Sequence, residues 1–224
     1  MEKAICKKWS GTNPSSLSLD VRLWNQDSIF WQDFYFALLS GTIDDNGQIY
    51  VINVKENIIY VVDKTKDDDD NIVKEIELND VIQDKSRSKC RFLHYGNNRL
   101  YIADLGLDTV YVMNWKKGLP QVVKFGKTGK EADGFHDPAG LACDAFGNII
   151  IINDAGNKAI KVFDKIYNFV GLVRLKNTNL ARPSSLVMNN DDLYILNLKS
   201  GTMAKCSFEK NWKWFVWIVH IYMI

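Results

Sequence analysis

Short apolar runs bounded by polar turns recur along the chain in pairs. Asp44-Asp45-Asn46-Gly47 precedes runs at 49–53 and 59–63. Gly96-Asn97-Asn98 precedes runs at 100–104 and 110–114. Asp144-Ala145-Phe146-Gly147-Asn148 precedes 149–153 and 160–164, and Asn189-Asn190-Asp191-Asp192 precedes 193–197 and 203–207. Runs of about five residues flanked by Asn, Asp and Gly read as strands joined in hairpins. Within a pair the second run begins roughly ten residues after the first, whereas the pairs recur at roughly 45–50 residues. A constant inner spacing with a variable outer one describes a rigid hairpin on elastic connections.

Each unit has room for two more strands. Residues 72–78, 122–125 and 169–173 follow the hairpins as outer strands, and 141–143 and 185–187 precede them as inner ones. Four antiparallel strands per unit at this period predict the blades of a β-propeller. No unit carries apolar residues at the i, i+3, i+4, i+7 spacing of a helical repeat. The expected fold is therefore all-β, with about four recognisable blades at approximately 40–80, 88–126, 138–175 and 183–219. Segment 1–39 precedes them, and 220–224 forms an apolar C-terminal end. In the first segment Leu17, Leu19, Val21 and Leu23 alternate with Ser18, Asp20 and Arg22, as an outer or closing strand does.

Composition supports a packed protein and narrows its partners. The 224 residues are 46% hydrophobic and 12% aromatic, ample for a core without disulfides. Lys+Arg number 28 against 27 Asp+Glu, a net charge of +1. That balance argues against a uniformly basic nucleic-acid binder, and no DNA partner is expected. The apolar stretch 214–224 is well short of the roughly 20 residues of a spanning helix, so no membrane association is expected. Residues 1–10 lack the apolar core of a secretory signal, and Cys6, Cys90, Cys143 and Cys206 show no paired or metal-type spacing. A reduced, cytoplasmic setting follows as the expectation.

The third unit carries a family resemblance. Phe125-Gly126-Lys127-Thr128-Gly129, Gly134-Phe135-His136-Asp137-Pro138-Ala139-Gly140-Leu141-Ala142-Cys143-Asp144, Gly147-Asn148-Ile149 and Asn153-Asp154-Ala155-Gly156-Asn157-Lys158-Ala159-Ile160-Lys161-Val162-Phe163-Asp164 together resemble an NHL repeat. Unit two keeps Asp104-Leu105-Gly106 but has Asp108-Thr109 where that family has Asn-Arg, and units one and four match in outline. The resemblance implies an NHL-type β-propeller, whose rings normally close with six blades. Four blades then make an incomplete ring, expected to be a fragment of a longer chain of the tripartite-motif/RING-associated kind, or to self-associate through open blade edges. This chain carries no RING or B-box cysteine–histidine pattern.

Enzyme motifs are weak. Lys127-Thr128 sits between Gly126 and Gly129, but Gln121 replaces the first glycine of a phosphate loop. Asp67-Asp68-Asp69-Asp70 lacks the glycine and glutamate of a calcium loop, because Ile72 and Leu78 fall there. His94, His136 and His220 are isolated. Asn53, Asp104, Asp154 and Asn197 recur at the end of the strand that opens each hairpin, so a channel metal, as in gluconolactonase-like propellers, is the competing reading. The NHL resemblance instead implies that Asp104, Asp154 and Asn157 brace the following turn. No catalytic residue, metal ligand or cofactor is expected.

Topology then divides the charges. Turns within the hairpins and links between blades emerge on one face, the remaining turns on the other. The first collects an excess of Lys and Arg, including Lys158 and Arg182; the second collects Asp. The densest basic element is Lys85-Ser86-Arg87-Ser88-Lys89-Cys90-Arg91, expected on an inter-blade link. Extended, it would align Lys85, Arg87, Lys89 and Arg91 on one side, with Tyr95 nearby as a stacking ring. The expected function is a non-catalytic platform whose basic face engages a protein partner, or single-stranded RNA as some relatives of this family do. A propeller hydrolase or lactonase with a channel metal is the alternative.

Overall fold

The computed structural model describes residues 38–66, 71–82, 84–116, 119–144, 149–173, 183–189, 192–197, 202–209 and 218–223. The expected strand at Leu17–Leu23, the Asp67–Asp70 run and Arg182 lie outside them.

Four four-stranded antiparallel sheets follow one another along the chain, each a meander in sequence order. The first contains β1 (Leu38–Ile43), β2 (Ile49–Asn53), β3 (Ile58–Val62) and β4 (Ile72–Glu77). The second contains β5 (Cys90–Gly96), β6 (Arg99–Asp104), β7 (Thr109–Lys116) and β8 (Leu119–Phe125). A short parallel ribbon, β9 (Lys127–Thr128) with β10 (Gly134–Phe135), leads into the third, β11 (Pro138–Cys143), β12 (Ile149–Asp154), β13 (Ala159–Asp164) and β14 (Phe169–Val173). The fourth is β15 (Pro183–Asn189), β16 (Asp192–Asn197), β17 (Thr202–Glu209) and β18 (Ile218–Met223), so β18 crosses the boundary drawn at residue 219. The protein is all-β, a partial β-propeller with four blades among the described residues.

The hairpins stand where the pattern of apolar runs places them. The inner strands β1 and β5 are not among the expected strands: β1 reads Leu-Leu-Ser-Gly-Thr-Ile and β5 Cys-Arg-Phe-Leu-His-Tyr-Gly, with no apolar run or clean alternation to mark them. Every inner strand has a register shift at its second residue: between Leu38 and Ser40, Cys90 and Phe92, Pro138 and Gly140, and Pro183 and Ser185. A bulge puts one extra residue into the strand and breaks the two-residue alternation that marks a strand in sequence.

Packing is between blades. Ile52, Ile59, Val61 and Leu78 meet Leu93, Leu100, Ile102 and Met113 between the first and second sheets. Tyr101, Ala103, Val110 and Val112 meet Phe135, Leu141, Ile152 and Phe163 between the second and third. Successive inner strands stand side by side, where an unpaired strand edge would expose N–H groups. Side chains of one inner strand cap the next. Ser40 Oγ accepts from the Leu93 N–H at 3.0 Å, and Thr42 Oγ1 from the Tyr95 N–H at 2.9 Å. His94 Nε2 accepts from the Cys143 N–H at 3.1 Å.

Candidate binding face

One geometry recurs at the hairpin tips of the first three blades, on the face shared with the inter-blade links. The residue ending the turn adopts left-handed backbone in three blades, with φ of 63° at Asn57, 50° at Asp108 and 55° at Lys158. Asn and Asp tolerate that region better than Lys does. The residue opening the turn is Asn53, Asp104 or Asp154; the first two accept N–H groups of their own turn, and the last two accept an N–H of the preceding link.

Asp104 is wholly buried and does this most fully. Its Oδ1 accepts from the N–H groups of Gly106 at 2.9 Å, Leu107 at 3.1 Å and Lys89 at 2.8 Å. Its Oδ2 accepts the Ser88 hydroxyl at 2.7 Å. The Leu105 N–H returns to the Lys89 carbonyl at 3.1 Å. The Asp104 carboxylate thus ties its own turn to the link that carries the basic strip. Burial, with this carboxylate nearby, pushes the Cys90 thiol far above its ordinary range.

Asp154 repeats the tie to the preceding link in the third blade. Its Oδ1 accepts the His136 N–H at 2.7 Å, and Asn157 Nδ2 donates to its Oδ2 at 2.6 Å and to the Gly129 carbonyl at 2.9 Å. The Gly156 N–H meets the His136 carbonyl at 2.7 Å. Here sequence reasoning missed a partner. Lys161, on β13, is buried, with its ammonium 2.9 Å from Asp154 Oδ2. It also donates to the carbonyls of Glu131, at 3.0 Å, and Gly134, and lies 5.5 Å from the centre of the Phe135 ring. The signal was a lysine flanked by Ile160 and Val162 in a strand buried on both faces.

These contacts bear on metal chemistry. The buried oxygens of Asp104 and Asp154 are committed to N–H, hydroxyl and ammonium donors, so the two carboxylates do not fit a channel-facing ligand ring. Among the described residues no three His, Cys, Asp or Glu side chains converge. The side chain of Asn197 lies outside the described residues.

The basic strip takes a different shape from the extended ribbon expected. Residues 85–87 form a turn, closed by the Ser88 N–H on the Asp84 carbonyl at 3.3 Å. Arg91 is the bulged residue of β5, which leaves its side chain exposed. Lys85, Arg87 and Lys89 are exposed as well, and so is Lys158 in the third blade's turn. Asp84, an exposed anion, lies beside them in sequence. Tyr95 is not part of this strip. Four residues of β5 carry it about 13 Å from Arg91, toward the opposite face. There its ring stacks on Tyr50 at 6.0 Å and its hydroxyl, pushed up by burial and by Asp45 and Asp44, donates to Asn98.

Against known proteins, no family model matches the chain, and no curated protein does. Solved structures do. A streptogramin B lyase superposes with a TM-score of 0.61 at 12% identity, covering 83% of this chain and 54% of the lyase. A virginiamycin B lyase from Staphylococcus aureus gives 0.59 at 14%, covering 84% and 56%. The Swd1 β-propeller domain of Myceliophteria thermophila gives 0.60 at 9%, covering 83% and 58%. The chain therefore spans little more than half the length of the propellers it is similar to, and what it shares with them is the β-propeller fold. Among the described residues, no helix is long and apolar enough to cross a membrane.

Proposed function

We propose that this chain is a non-catalytic binding platform of NHL type, whose basic face engages an acidic surface on a protein partner. One observation carries the reading: the exposed cations Lys85, Arg87 and Lys89 stand on a link whose backbone is held by the buried Asp104, and the exposed Arg91 follows at the bulge of β5. Holding the backbone lowers the ordering cost of binding while the long side chains keep their freedom to adapt. Lys158 extends the same face. The NHL assignment rests on the motif of the third blade, and the cytoplasmic setting on the scattered cysteines.

An acidic protein suits the face better than RNA. The candidate stacking ring, Tyr95, is at the other end of its strand, which leaves the strip with charge and no aromatic platform. The catalytic alternative has no support from Asp104 and Asp154, whose oxygens are already engaged.

The test is fluorescence anisotropy with labelled poly-L-glutamate and with single-stranded RNA, at low and physiological salt. Wild type should bind the acidic polypeptide, weaken with salt, and lose binding in Lys85→Ala/Arg87→Ala/Lys89→Ala/Arg91→Ala. Tighter binding of RNA than of poly-L-glutamate would replace the protein partner with RNA. Binding of both probes that ignores the substitutions would overturn the platform reading. So would a stoichiometric divalent ion that is lost in Asp104→Asn/Asp154→Asn.

A further inference from the structure

The basic strip contains two serines that the sequence alone does not distinguish, Ser86 and Ser88. We propose that Ser86 is a phosphorylation site that switches off the basic face, an inference that rests on the binding role given to that face.

The two hydroxyls have opposite surroundings. Ser86 is exposed in the 85–87 turn, and its Oγ donates to the exposed Asp84 Oδ1 at 2.8 Å. Lys85 and Arg87 flank it, with Lys89 three residues on, the setting that basic-directed serine kinases read by charge. Ser88 is half-buried and donates to the buried Asp104 Oδ2 at 2.7 Å. A phosphate on Ser88 would press a second anion against a buried carboxylate and break the tie that holds the link.

The reaction transfers the γ-phosphoryl group of a nucleoside triphosphate to Ser86 Oγ. The new P–O bond forms as the bond to the departing nucleoside diphosphate breaks, and the hydroxyl proton leaves to a base of the kinase. The product adds about −1.5 to −2 charges and three acceptor oxygens among four cations. Lys85 and Arg87 can then pair with the phosphate of their own turn and are withdrawn from an acidic partner. The group repels Asp84, but that residue is exposed and its repulsion is screened.

The experiment uses the full chain, ATP and a basic-directed serine kinase, with the phosphate located by fragmentation mass spectrometry. The expected product carries phosphate on Ser86 and none on Ser88, and Ser86→Ala is left unmodified at this segment. The modified protein should bind poly-L-glutamate at least about tenfold more weakly at low salt, with Ser86→Glu showing part of that loss. Phosphate on Ser88 of the folded protein, or none on Ser86, overturns the inference. So does modified protein that binds as tightly as unmodified, when the quadruple alanine variant has lost binding. If the quadruple variant also binds normally, it is the basic-face reading that fails, and the mapped phosphate distinguishes the two failures.

Discussion

Gly106 lies so close to Arg87 that a Cβ built on it would stand 1.7 Å from the Arg87 carbonyl oxygen. The obstacle is backbone, which cannot swing aside as a side chain can. Gly106→Ala must therefore push the basic link off its turn and strain the Leu105–Lys89 and Asp104–Lys89 bonds. The expected loss is about 2–3 kcal/mol by urea unfolding. Binding of the acidic probe should weaken even though no charge has changed. Gly171→Ala is the control: nothing lies within 4 Å of its added Cβ, and stability should hardly move.

The Asp154–Lys161 pair should behave as a unit. Each side chain is almost without solvent contact, at 0% and 3% exposure. Asp154→Asn leaves an ammonium facing only carbonyls and a ring, at a cost of about 3–5 kcal/mol. Lys161→Met keeps the apolar stem and costs less, because Asp154 retains the His136 N–H and the Asn157 amide. The double variant should recover much of the loss, giving a large coupling in a double-mutant cycle. Additive losses in urea midpoints would show that the two residues act independently.

His94 makes the joint between the second and third blades sensitive to acid. Burial pulls its imidazole down to about 4, and its Nε2 already accepts the Cys143 N–H. The unfolded chain takes up this proton near the ordinary value of about 6.5, so below that pH protons favour unfolding. Stability is complete above about 6.5, falls as the pH drops toward about 4, and levels off beyond. The full loss is about 3 kcal/mol. His94→Gln, which retains an acceptor, should flatten the unfolding free energy across that window.

Lys158 occupies a backbone conformation better suited to Asn or Gly, the type of position filled by Asn57 and Asp108 in the first two blades. Lys158→Asn should raise stability by about 0.5–1 kcal/mol, visible as a higher Tm. It also removes one exposed cation from the binding face. A more stable protein that binds poly-L-glutamate less tightly would mean that the lysine serves the face, not the turn. Unchanged binding would limit Lys158 to a surface role.

The sequence by itself determined the hairpins, their turns, the repeat and hence the propeller. Those features depend on contacts within about ten residues and on a two-residue alternation that apolar and polar side chains report directly. It also marked Asp104 and Asp154, because each opens a local turn. The flanking strands at 72–78, 122–125, 141–143, 169–173 and 185–187 were legible too, and tertiary structure decided the rest of what lies between the hairpins. Strands β1 and β5 are interrupted by Ser, Gly, Arg and His and carry no readable alternation, and the edge of β5 is capped by a residue about fifty positions away, as Ser40 caps Leu93. The partners of Lys161 in the link, Glu131 and Gly134, come from 30 and 27 residues earlier. The same long-range packing makes Ser88 an internal donor while Ser86 stays in solvent, and it puts Tyr95 on the far side from Arg91. Sequence neighbours share a face only where the backbone stays regular, and at the basic link the chain turns, bulges and is held by a carboxylate from another strand.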